Sequence, residues 1–246
     1  MSYYERENQI LKILREKEGI GNQELAASLY VSPATLRRDL KKMEMRGYVI
    51  RKHGTCTLVK TEADRELPIS IRELAGSAAK VQIAKEAVKQ IQDGDVIMLD
   101  GSTSALTMVP FLSRFQGLIV ITTGVKAAYM LGSAGIETIL AGGRMIKESL
   151  TCIGKEATDT ISRYHADLAF FSCRGLSEDG MISDNSVEQN DIRRVMMAHS
   201  TRSICLMDST KFSQQFLCNL CPVSEVDDLI SEVPLPEKIA AMLRKH

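Results

Sequence analysis

The chain has 246 residues, 44% of them hydrophobic and 25% charged, with 31 basic and 31 acidic side chains and a formal net charge of zero. That length can bury a substantial core in one large or two smaller domains, and the composition excludes a disordered or fibrous chain. No run approaches the roughly eighteen apolar residues of a membrane helix, and the charged start "MSYYERENQILKILREKEG" is unlike a secretory signal. Six scattered cysteines suit a reducing compartment, so a cytoplasmic protein is expected.

The neutral sum hides an asymmetry. Residues 1–60 hold 12 Lys and Arg against 7 Asp and Glu, and the rest of the chain carries 19 against 24. A small basic head on a larger acidic body is the pattern expected when one end meets an anionic polymer.

The head reads as three helices and a hairpin. Helical spacing of Ile10, Ile13 and Leu14 predicts a helix over about Tyr4 to Lys17, ended at Gly19. "NQELAASL" predicts a short second helix with Asn22 as its N-cap. After the turn "YVS", Ser32 before Pro33 is a strong helix start, because serine caps free amides and proline needs no donor there. On the third helix, Leu36, Leu40 and Met43 form the core stripe. Ala34, Arg37, Arg38, Lys41 and Lys42 spread over the opposite arc, with Thr35 at its edge. Small residues in the first turn let such a helix enter the major groove, while the cations behind them reach guanine edges and phosphates. Asp39, beside the core stripe, is expected to pair internally. "RGYVIRKHGTCTLVK" then alternates as a two-stranded wing with Arg51, Lys52 and His53 at its tip. The candidate DNA contacts are therefore Ser32, Ala34, Thr35, Arg37, Arg38, Lys41, Lys42, Arg51, Lys52 and His53 of a winged helix-turn-helix.

"LYVSPATLRRDLKKMEMRGYVIRKHGT" resembles the N-terminal signature of the DeoR family of bacterial transcription regulators: a V-S-x-x-T-[IL]-R-R-D-L helix, then L/M-E-x-x-G, then an R-x-H-G-G wing. Gly54-Thr55 departs from the family's usual pair of glycines. Residues 61–79 read as a charged linker leading into a helix, and residues 80–246 as a second domain. Ser77 and Lys80 have the spacing of a nucleophile motif whose partner motifs are missing from the sequence.

In the body, apolar runs at Val96–Asp100, Leu118–Thr122, Glu137–Ala141, Leu168–Cys173 and Ser203–Asp208 predict strands. Helical stretches lie between most of them, for example Ala105–Ser113, Val125–Leu131 and Val187–Ala198. This alternation predicts an α/β domain with an open parallel sheet. Ligands of such sheets bind at the carboxyl ends of the strands. Here those ends read "DGSTS", "TTG", "GGR", "RGL" and "DSTKF". They offer hydroxyls from Ser102, Thr103, Thr123 and Thr210, the glycines Gly142 and Gly143, and the cations Arg144, Arg174 and Lys211. Amides, hydroxyls and a lysine suit a phosphate, and Asp100, Asp208 and Glu188 could accept from sugar hydroxyls. The expected ligand is a small phosphorylated sugar or polyol.

The body also resembles the DeoR-family C-terminal sensor domain, through "KVQIAKEAVKQIQDGDVIMLDGSTS", "LAGGRM", "IGKEA", "ADLAFF" and "DSTKF". The resemblance implies a fold similar to ribose-5-phosphate isomerase and CoA-transferase-like proteins. It also implies an effector site at Asp100, Ser102, Thr103, Thr123, Gly142, Gly143, Glu188 and Lys211. "GSTS", "TTG" and Cys173-Arg174-Gly175 depart from the family pattern. The implied function is a transcriptional repressor of a sugar-catabolism operon, relieved by a phosphorylated sugar. A dimer or tetramer would present paired heads to double-stranded operator DNA. The alternatives are an activator of the same architecture and a sugar-phosphate isomerase or deaminase. Against the enzyme, no acid–base pair emerges from spacing, so no catalytic residue is assigned. No cofactor is expected, and no metal: Cys218-x-x-Cys221 is a lone pair, read as a packed apolar segment.

Overall fold

The computed structural model describes residues 2–17, 19–45, 48–52, 54–58 and 68–243. His53, at the expected wing tip, and most of the charged segment after Leu58 lie outside the described residues. The chain divides into two compact units, Met1–Ala75 and Gly76–His246.

The first unit opens with helix α1 (Tyr3–Glu16), fixed by a reciprocal capping box between Ser2 and Glu5. Strand β1 (Ile20–Gly21), helix α2 (Asn22–Ser28) and helix α3 (Pro33–Met45) follow. The hairpin β2 (Val49–Lys52) and β3 (Thr55–Leu58) is next, and the sheet order is β1-β3-β2. Helix α4 (Ile69–Leu74) packs against α1, so the segment read as a linker carries helical structure. Ile10, Leu14, Leu25, Leu36, Leu40 and Met43 are buried together, as the helical stripes require. Asn22 does not cap α2. Gly21 occupies the cap position, and Asn22 sits in the first turn with its N–H donating to the Gly54 carbonyl at 2.8 Å. The Asn22 side-chain oxygen has no hydrogen-bond partner among the described residues, so it caps nothing.

The second unit begins with α5 (Ser77–Ala87), β4 (Val96–Leu99), α6 (Thr103–Leu106), β5 (Ile119–Thr122), α7 (Val125–Ser133) and β6 (Glu137–Leu140). It continues with β7 (Arg144–Ile146), β8 (Thr151–Ile153), α8 (Lys155–Ile161), β9 (Ala166–Phe171), β10 (Gly175–Leu176) and β11 (Met181–Asp184). It ends with α9 (Val187–Ala198), β12 (Ser200–Leu206), β13 (Cys218–Pro222), β14 (Asp228–Ile230) and α10 (Glu237–Met242).

A six-stranded sheet of order β14-β12-β9-β4-β5-β6 is parallel throughout. All five expected strands lie in it, and β14 extends its edge. The small antiparallel sheet β10-β11-β13 and the hairpin β7-β8 stand outside it. The helix expected over Ala105–Ser113 is broken: α6 stops at Leu106 and a 3-10 segment runs from Val109 to Arg114. Pro110 explains the break, since it lacks the N–H that would continue an α-helix. Parallel strands place Asp100, Thr123, Ser172 and Asp208, the residues just past β4, β5, β9 and β12, along one sheet edge. Among the described residues no helix is long and apolar enough to cross a membrane.

Candidate functional site

In the first unit the candidate surface is the outer arc of α3. Ser32 Oγ accepts the Thr35 N–H at 3.1 Å and lies 2.9 Å from the Thr35 hydroxyl, which fixes the helix start with both side chains at the surface end. Ala34, Arg37, Arg38, Lys41 and Lys42 are exposed. Lys42 Nζ stands 4.7 Å from the Tyr3 ring centre, a cation–π contact that leans it toward α1. Asp39, by contrast, is buried and accepts from Arg6 at 2.7 and 3.2 Å, the internal pair expected of it. The arc is thus cationic: the Asp39 carboxylate is turned inward onto Arg6, and Glu44, near the end of the helix, is paired with Arg51.

The wing is more committed to the fold. Arg51 is half-buried and donates from Nε to Glu44 at 2.9 Å; this hydrogen bond holds the Glu44 carboxyl below the usual range. Lys52 is exposed, and its carbonyl accepts the Thr55 hydroxyl at 2.6 Å. Gly54, with φ of 79°, takes the left-handed position of the turn, while Thr55 closes it by hydrogen bond. One glycine therefore suffices where the family pattern has two.

In the second unit a pocket at the sheet edge is lined by Asp100, Gly101, Thr123, Thr151, Gln189, Ile192 and Arg193. Asp100 accepts three donors: the Ser102 N–H at 3.0 Å, the Ser172 N–H at 3.2 Å and Arg193 Nε at 3.2 Å. Arg193 also donates to Asp184 at 2.8 Å and Asn190 at 2.9 Å, and Arg174 reaches Asp184 at 3.3 Å. Asp100, Asp184 and Arg193 are buried. Their charges compensate one another, as burial demands.

Ser102 caps α6, accepting the Ala105 N–H at 3.1 Å, and Thr103 is buried in the first turn. Lys211 donates to the Ser172 hydroxyl at 2.7 Å, so Ser172 joins Lys211 to Asp100. Burial alone would raise the Asp208 carboxyl; the charge of Lys211, the Thr210 hydrogen bond and the charge of Lys80 outweigh it and hold the group below its ordinary value. The Thr123 hydroxyl is buried, lines the pocket and has no hydrogen-bond partner among the described residues.

Of the expected effector residues only Asp100 and Thr123 line this pocket; Ser102, Thr103, Gly142, Gly143, Arg144, Glu188 and Lys211 do not. Arg144 and Glu188 are exposed and bonded to each other at 2.5 Å, joining β7 to the first turn of α9. Gly142 borders open space, whereas Gly143 has φ of 135° and a Cβ there would meet the Ile153 carbonyl at 2.6 Å. Gly143 therefore answers a packing demand.

Sequence reasoning missed Gly101, Thr151, Gln189, Ile192 and Arg193. One signal was available: Asn190, Arg193 and Met196 recur at helical spacing, so Arg193 falls on the buried face of α9. A cation on an apolar face announces a buried partner.

A DeoR-like helix-turn-helix domain family matches residues 6–62, and a DeoR C terminal sensor domain family matches residues 76–233. An uncharacterized HTH-type transcriptional regulator of Bacillus subtilis (strain 168), YulB, is 31% identical across 97% of this chain and 92% of its own. The glycerol-3-phosphate regulon repressor of Escherichia coli (strain K12) is 24% identical across 100% of this chain and 97% of its own. Among solved structures, a Pyrococcus horikoshii OT3 translation initiation factor eIF-2B aligns with a TM-score of 0.51 at 14% identity, covering 94% of this chain and 90% of that one, a likeness of fold alone. The DNA-reading head and the sensor body lie in one chain in the order the family prescribes, and this chain belongs to the DeoR family of transcriptional regulators.

Proposed function

We propose that the protein is a cytoplasmic repressor of a carbohydrate-catabolism operon that binds operator DNA as a dimer or tetramer and is released by a phosphorylated sugar or polyol. The observation that carries the DNA half is the outer arc of α3: among the described residues Arg37, Arg38 and Lys41 are exposed and no ion pair ties them. Arg38 reads a base, and Lys41, Lys42 and Lys52 neutralise phosphates. The sensing half draws support from the unpartnered Thr123 hydroxyl and from Lys211 at the same sheet edge. The ligand phosphate sits against Lys211 and the start of α6, and Asp100, held by three donors, shapes the pocket rather than taking a proton from the ligand. The repressor reading draws support from the relative whose name is glycerol-3-phosphate regulon repressor.

The same geometry argues against turnover. Asp100 is tied to Arg193, and burial pushes the nearby Cys173 thiol up to about 12, where it stays protonated and a poor nucleophile. The test is fluorescence-anisotropy titration of a labelled duplex from upstream of the protein's own gene, over a salt series, with a panel of sugar phosphates. Selective binding with a steep salt slope, lost on adding one of them, is expected. Binding indifferent to every sugar phosphate would overturn the sensing half, and consumption of one of them would revive the enzyme.

A further inference from the structure

The turn between α2 and α3 holds a residue that folding does not explain. Tyr30 is 97% exposed, and its backbone is left-handed with φ of 52°. Its N–H donates to the Ala27 carbonyl, and the Val31 N–H donates to the Ala26 carbonyl, each at 3.1 Å. These two bonds make the Schellman ending of a helix, in which the left-handed position belongs to glycine because a β-carbon is strained there. A tyrosine pays that strain and here recovers no burial. Its neighbours Leu29 and Val31 turn toward the core, so the phenol is what the turn presents outward.

Tyr30 stands two residues ahead of Ser32, whose hydroxyl fixes the start of α3, and the exposed Arg37, Arg38 and Lys41 follow on the same helix. The surroundings are therefore built for a polyanion. A phenol is a stiff side chain with a donor at its tip, and phosphate oxygens accept such donors at the rim of the groove. We infer that Tyr30 is a DNA-backbone contact, its hydroxyl donating to a phosphate beside the groove that α3 enters. The inference rests on the reading of α3 as the groove helix. It adds a residue that positions the head on DNA and carries no sequence preference.

The test uses the full chain with Tyr30→Phe and Tyr30→Gly, and two labelled duplexes of equal length. One duplex is selected by the wild-type protein from a random pool, and the other is a scrambled sequence. Loss of a hydrogen bond to a charged group predicts that Tyr30→Phe weakens both duplexes by about tenfold. The salt slope should stay unchanged, because a neutral donor releases no counterion, whereas Lys41→Ala should lower it by about 1. Tyr30→Gly should show the same DNA loss together with a higher Tm, since glycine relieves the left-handed strain. Wild-type affinity of Tyr30→Phe for both duplexes overturns the contact. A loss confined to the selected duplex also overturns it, in favour of base reading. So does a Tyr30→Gly variant whose light-scattering mass changes while its DNA affinity does not, which would place Tyr30 between copies of the chain. If the wild type binds neither duplex, the groove reading falls first and takes this contact with it.

Discussion

Arg193 Nε and Asp100 Oδ2 meet at 3.2 Å inside the second unit, both side chains screened from solvent and 93 residues apart in the chain. The guanidinium also holds Asp184 at 2.8 Å, so one cation compensates two buried carboxylates. Arg193→Met should leave Asp100 without a cation and Asp184 with Arg174 alone, and cost about 3–5 kcal/mol, the usual penalty for breaking a buried pair from one side. Urea unfolding of the second unit measures this. A cost below about 1 kcal/mol would show that water or Arg174 replaces the lost partner.

Arg38 and Asp39 are adjacent in sequence and should give opposite signatures. Arg38→Ala removes an exposed cation, so Tm should hold while selective DNA affinity falls by about 1–3 kcal/mol. Asp39→Ala removes the buried partner of Arg6 and should destabilise the first unit by about 2 kcal/mol. Thermal unfolding and anisotropy on the same two variants separate the roles, and identical profiles would refute them.

Lys211 and Asp208 tie the sheet edge to acid sensitivity. The folded-state pKa of Asp208 lies below its ordinary value, so its stabilisation is present above the normal carboxylate range and is lost as pH falls through the folded pKa. Asp208→Asn should therefore flatten the decline of stability below about pH 4. Lys211→Ala should abolish the effector response while sparing DNA binding. A normal response to the sugar phosphate in that variant removes Lys211 from the site.

Gly101 admits no side chain. A Cβ there would lie 2.0 Å from Thr151 Oγ1 and 2.4 Å from its methyl. Gly101→Ala should force β8 away from the pocket and cost about 1–3 kcal/mol as an overpacked site. Differential scanning calorimetry checks the loss, and an unchanged Tm would mean that the Thr151 strand yields freely.

These sites differ in how far the sequence discloses them. β4, β5 and β9 are apolar runs, legible because a parallel sheet buries nearly every residue in them, and β12 shows the same signal only in its buried second half, Ser203–Leu206. β14 is only three residues long, and β11 carries a register shift between Ile182 and Ser183, so neither leaves a clean period. The α3 surface was readable because helical spacing alone separates Leu36 and Leu40 from Arg37 and Lys41. The pocket was half readable. Asp100 and Thr123 follow strands, but Gln189 and Arg193 reach it from α9, and only the fold brings that helix to the sheet edge. Arg144 and Glu188 show the converse limit: each has the right chemistry in sequence, and in space they satisfy one another.

The bond from Asn22 to the Gly54 carbonyl fastens the start of α2 to the turn of the wing, and β1 pairs with β3 beside it. The wing is thus joined to the helix pair at two places, the Asn22–Gly54 bond and the β1–β3 pairing. Strain applied at Lys52 or Gly54 is one hydrogen bond away from the first turn of α2, so wing and helix pair should respond to it together. The helix-to-wing spacing is thereby tied to the fold itself, through the β1–β3 pairing and the Asn22–Gly54 bond.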